Sequence, residues 1–200
     1  MRTSSGMRRI RLTWAALLAL SFTGCVEELV GPSVGLPEEM PADLTLHFTF
    51  CEATIPPPSH YEYAIALGPG ALGSITYGPD YPELGSPTWT EVFSIDRGRF
   101  AELYQLVVDS KVLFTNGKGA TNGTGSQRVS LEVAWAEGHY STGPRASCIA
   151  PWPALHAEVR SLVPQEVWDG LESRRAGYME EHYPREGDDR APVDQCRLTP

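Results

Sequence analysis

From Leu44 the chain alternates strictly between apolar and polar residues. Leu44, Leu46, Phe48 and Phe50 fall on one side of an extended chain, and Thr45, His47, Thr49 and Cys51 on the other. Successive strand side chains point to opposite faces, so the pattern predicts a strand with one face buried and His47 in solvent. Pro56-Pro57-Pro58 forces an extended turn, after which Tyr61, Tyr63, Ile65 and Leu67 alternate with Glu62, Ala64 and Ala66. Gly68-Pro69-Gly70 ends that run, and Ile75 and Tyr77 begin a short return strand. A proline-rich excursion from Gly78 to Pro87 leads to a fourth strand near Trp89 to Phe93. The period then changes. Phe100, Leu103, Tyr104 and Val107 recur at helical spacing, a stripe wide enough to cover a sheet. Ser94 is the expected N-cap, with Asp96 in the first turn where the helix dipole favours an anion.

Alternation returns in Val129, Leu131, Val133 and Trp135, with a tight turn at Glu137-Gly138 leading into His139 to Thr142. Trp152-Pro153 opens a helix over Leu155, Val159 and Leu162. Pro164 cannot continue it and suits the first position of a second helix carrying Val167, Trp168, Leu171 and Tyr178. Strands with one apolar and one polar face call for an antiparallel sheet covered on one side. The expected fold is therefore α+β in two layers: about five or six antiparallel strands, with two helical segments packed on one face. Residues 44–183 form this single domain, and 184–200 a polar C-terminal tail. The uncovered face, with Thr45, His47, Glu62, Ser130 and Glu132, or the glycine-rich loop near Asn116, is where a partner is expected.

The N-terminal segment is different in kind. Arg2, Arg8, Arg9 and Arg11 precede Leu12 to Phe22, an apolar run of 11 residues, against the roughly 20 that a spanning helix needs. Residues 1–24 are expected to be an export signal. Phe22-Thr23-Gly24-Cys25 resembles the bacterial lipobox, which implies lipidation of Cys25. Phe22 stands where that pattern usually has an aliphatic residue. Residues 25–43, rich in proline and glutamate, read as a tether. Val26 follows Cys25 where inner-membrane retention usually places aspartate. By resemblance to sorted lipoproteins this implies the outer membrane, a secreted or soluble periplasmic protein being the alternative. Four of the 16 bases lie in the export segment, which has no acid, leaving 25 acids against 12 bases and a charge near −13 beyond it. That sign works against nucleic acid as a partner.

Cys51, Pro58-Ser59-His60-Tyr61, Gly73 and Tyr77-Gly78 resemble the motifs of an uncharacterised family of bacterial lipoproteins, over roughly Leu44 to Leu162. This chain lacks that family's second cysteine before the proline. The resemblance implies a β-rich body and brings no catalytic residues.

No catalytic, cofactor or metal-binding set is expected from spacing alone. His47, His60, His139, His156 and His182 form no His-x-x-x-His pair, and no Cys-x-x-Cys occurs. Lys118 is followed by glycine and then a strand, so the loop is no phosphate cradle. In an oxidising compartment Cys51 and Cys148, which flank the sheet, are expected to pair. Cys148 with Cys196 is the alternative, and if Cys25 keeps its thiol four cysteines allow three connectivities. These features favour a non-enzymatic envelope lipoprotein, held to the membrane by its N-terminal lipid and binding or assembling with a protein partner. One alternative is an inhibitor of a protease or other hydrolase, inserting loop 115–126 or 78–87. Another is an enzyme whose site is assembled only in the fold.

Overall fold

Seven strands and three α-helices follow one another in the computed structural model, which describes residues 35–52, 58–114 and 127–184. The chain divides into two units, Met1–Gly35 and Leu36–Pro200, and only Gly35 of the first is described. The export segment, Cys25, most of the tether, loop 115–126, Cys196 and the C-terminal tail lie outside the described residues.

The strands are β1 (Thr45–Cys51), β2 (Glu62–Gly68), β3 (Leu72–Gly78), β4 (Trp89–Ser94), β5 (Arg128–Trp135), β6 (Gly138–Ser141) and β7 (Arg145–Ala146). They form one open antiparallel sheet in the order β4-β3-β2-β1-β5-β6, with β7 also paired to β5. The register aligns the apolar residues in rows. Phe48 lies opposite Ile65 on one side and Leu131 on the other, and Ile65 lies opposite Ile75. All four are buried, whereas Thr45 and His47 on the alternate face are exposed. Hydroxyl pairs join strands on that second face: Thr49 with Ser130 at 2.5 Å and Thr76 with Thr90 at 3.2 Å.

The sheet has one more strand than the pattern suggested, because the final hairpin partner is interrupted. β6 ends with Ser141 opposite Glu132, and β7 resumes with Arg145 opposite Val129. Thr142, Gly143 and Pro144 bulge between them, and Leu131 N donates to Thr142 Oγ1 at 3.0 Å. A bulge with a proline blunts an edge that could otherwise recruit another strand.

The helices are α1 (Arg97–Ser110), α2 (Trp152–Leu162) and α3 (Gln165–His182). The predicted stripe Phe100, Leu103, Tyr104 and Val107 is buried in full. Its N-cap is Asp96, not Ser94, which closes β4. Asp96 has extended backbone, and its carboxylate accepts from Arg99 N at 2.9 Å. Pro164 separates α2 from α3 and takes the N-cap position immediately before Gln165. Buried strand and helix residues form one apolar core.

That core also reaches further back than the alternation. Leu36 and Met40 pack against it, Tyr104 donates to the Pro37 carbonyl at 2.7 Å, and Ala136 N donates to Asp43 at 2.7 Å. The end of the expected tether is therefore part of the folded body. No described helix is long and apolar enough to cross a membrane.

Candidate functional site

β2 and β1 present Tyr63, Phe48 and Phe50 toward α2, whose His156 stacks on both phenylalanines with ring centroids 5.5 and 4.9 Å away. One turn on, Arg160 lies 4.1 Å over the Trp168 ring of α3 and 5.8 Å from the Tyr63 ring. Arg160 Nη1 donates to the Tyr63 hydroxyl at 3.4 Å, and that hydroxyl bonds His156 Nε2. The guanidinium can only donate, which leaves the Tyr63 proton available to His156 Nε2. Burial first, and then the Arg160 charge, lower the His156 pKa to about 4. Burial likewise raises the Tyr63 phenol. Near neutral pH both groups are uncharged and the positive charge sits on Arg160.

Of these residues, His156, Arg160 and Trp168 line a cleft of about 790 Å³, within the range of ligand-binding cavities. Gln127, Ser147 and Cys148 contribute the opposite side. The lining contains no aspartate or glutamate, although the chain is acidic. Behind it, Gln127 donates to the Glu52 carboxylate at 2.9 and 3.2 Å, and Ser147 donates to Gln127 Oε1 at 3.1 Å. Glu52 is buried, and burial raises its pKa against the opposing effects of Gln127 and Arg175. Arg175 is committed to structure, donating to the Pro58 carbonyl at 2.7 Å and lying 5.1 Å over the Tyr61 ring.

A second concavity of about 300 Å³ is lined by Thr49, Cys51, Glu62, Thr76 and Asp80. Cys51 and Glu62 are directly opposed across β1 and β2. Burial and the Glu62 carboxylate push the Cys51 thiol up to about 11. His60, fully buried, stacks on Tyr81 with centroids 3.5 Å apart. Its Nδ1 donates to the Glu52 carbonyl at 2.6 Å, and its Nε2 is buried without a hydrogen-bond partner. Leaving such a group unsatisfied costs about 1–3 kcal/mol. Cys51, His60 and Glu62 each bring one potential ligand atom within 4.8 Å of the others, the one such group among the described residues.

The expected Cys51–Cys148 bridge is not formed: both thiols are free. The reason lies in strand phase. Cys51 falls on the same side of β1 as Thr49 and lines the smaller concavity, whereas Cys148 lines the cleft at α2. The histidines separate cleanly. His47, His139 and His182 are exposed, with His139 donating to Glu132 at 3.0 Å and His182 to the Tyr178 carbonyl at 3.0 Å. His60 and His156 are the two drawn inward. In loop 78–87, Asp80 is fully buried and accepts from Tyr81 N and the Tyr183 hydroxyl, while Leu84 is exposed at the end of a single 3₁₀ turn, Pro82–Leu84. Sequence spacing missed both constellations, because Tyr63, His156, Arg160 and Trp168 meet only through the β2–α2–α3 packing. The weak signal was His156 and Arg160 four residues apart on one helix. No family model and no curated relative matches the chain.

Proposed function

We propose that this protein is an envelope lipoprotein, exported by residues 1–24 and held to the outer membrane by lipid on Cys25. In this reading its body is a binding module rather than an enzyme. The body is a two-layer sandwich in which the three helices cover one sheet face. That arrangement is supported by the single apolar core shared by inward strand residues and helices, and by the exposure of Thr45, His47 and Val92 opposite. The partner occupies the cleft between α2, α3 and the β7 end of the sheet.

One observation carries the choice of the cleft. On a chain with a charge near −13 beyond its export segment, its lining has no carboxylate and holds one arginine, fixed against an aromatic face. A planar guanidinium in that position favours a carboxylate or other polar anion by paired hydrogen bonds. His156, neutral, lines the cleft beside it, and the Tyr63 hydroxyl behind the lining bonds both His156 and Arg160. A protein segment bearing an acidic side chain fits this chemistry.

A photocrosslinking side chain in place of exposed Gln165, at the cleft rim, tests the assignment in intact envelopes. The expected result is a discrete crosslinked partner whose yield falls about tenfold or more with Arg160→Ala, as loss of a charge-assisted hydrogen bond requires. Crosslinking that Arg160→Ala leaves unchanged, or that occurs only from a probe at His47 on the open sheet face, contradicts it.

A further inference from the structure

We propose that Cys51, His60 and Glu62 form a site for one divalent transition-metal ion of the zinc class, with its fourth position open to the cavity beside Asp80. This site lies apart from the cleft and does not depend on the binding reading. Thiolate sulfur, imidazole nitrogen and carboxylate oxygen are the three donor types that zinc accepts together.

Two of the three residues are held by strand pairing and the third by ring stacking. Cys51 and Glu62 are register partners in adjacent strands, which sets their Cβ atoms about 5 Å apart on one face. His60 stands two residues before Glu62, and its ring is fixed by stacking on Tyr81. One potential ligand atom of each residue, a ring nitrogen in the case of His60, lies within 4.8 Å of the others. Donors around tetrahedral zinc stand roughly 3.5 Å apart, so small rotamer changes close the site.

His60 supplies the independent observation. A backbone carbonyl can only accept, so the 2.6 Å bond to Glu52 places a proton on Nδ1. In the neutral ring that leaves the Nε2 lone pair free, on a fully buried side chain where no group among the described residues satisfies it. A ligating histidine that donates its other ring N–H to a carbonyl is the usual outer-shell arrangement of a zinc site. Asp80, held by Tyr81 N and Tyr183, adds negative charge nearby without being required as a ligand. On binding, the Cys51 thiol gives its proton to solvent and the sulfur lone pair enters the metal–sulfur bond; nothing is oxidised or reduced.

The test uses the full chain with Cys25, Cys148 and Cys196 replaced by serine, so that Cys51 is the one thiol, treated with chelator and titrated with Co²⁺. The expected result is one equivalent bound, with thiolate-to-cobalt charge-transfer absorption that Zn²⁺ displaces. Cys51→Ser should abolish the absorption. Glu62→Gln should weaken Co²⁺ binding by at least about 100-fold, more than the 10–100-fold typical of outer-shell partners. Both positions are half-buried on the sheet, so the far-ultraviolet circular dichroism should be unchanged and the comparison stays interpretable. Absence of charge-transfer absorption with Cys51 present, or absorption that Glu62→Gln leaves untouched, overturns the proposal.

Discussion

His156 lies against Phe48 and Phe50, so its protonated form would lose much of the water that stabilises an imidazolium. Its pKa falls from 6.5 to about 4 through that burial, reinforced by Arg160. In the range between those values the unfolded chain binds this proton and the folded chain does not. Stability therefore falls as pH drops through that window, and the contribution is fully present above 6.5. Between pH 7.5 and 5 the loss should be about 2 kcal/mol, measured by urea unfolding. Glu52, raised by burial, slopes the opposite way over part of the same range. The decisive quantity is thus the difference between the native chain and His156→Gln, whose pH dependence should be flatter by that amount. Equal slopes would show that His156 is not held neutral by the fold.

At the scale of the elements, what could be read from the sequence follows from what periodicity reports. It states which side of a strand is apolar, and β1, β2 and β5 bury that side as expected. It says little about what ends an element. Ser94 and Asp96 both have capping side chains, and only the backbone leaving β4 decides that Asp96 reaches Arg99 N. Nor does it report what lies across a strand. Cys51 and His60 are separated by a stretch without alternation; register sets Cys51 opposite Glu62, and His60, stacked on Tyr81, joins them from just before β2. The same register explains Gly73. It faces the core between Leu67 and Phe93, and an added Cβ would lie 2.5 Å from the Phe93 ring and 3.2 Å from Leu67. Gly73→Ala should destabilise the fold by about 1–3 kcal/mol in denaturant unfolding. Ser74→Ala, on the other face of β3, should stay within about 0.5 kcal/mol. Equal effects at the two positions would mean that β3 is not seated in this register.

For the whole molecule, the sequence speaks to address and the fold to recognition. The short apolar run behind four arginines, and Cys25 after Gly24, carry the proposal of export and lipidation. The body contributes a cleft with one arginine on an acidic chain, and its core takes in Leu36 and Met40 from the segment proposed as the tether. A lipid on Cys25 would hold the cleft at a membrane surface while the described helices provide no spanning segment of their own. The proposed tether comes first, since a partner in the envelope presupposes it. Its most direct measurement is the intact mass of the protein extracted from membranes of the expressing bacterium, beside Cys25→Ser. The expected result is a chain beginning at Cys25 with added acyl mass, and a Cys25→Ser protein that lacks this mass and leaves the membrane fraction. A chain cleaved elsewhere, carrying no acyl mass and recovered in the soluble fraction with Cys25 intact, would contradict it.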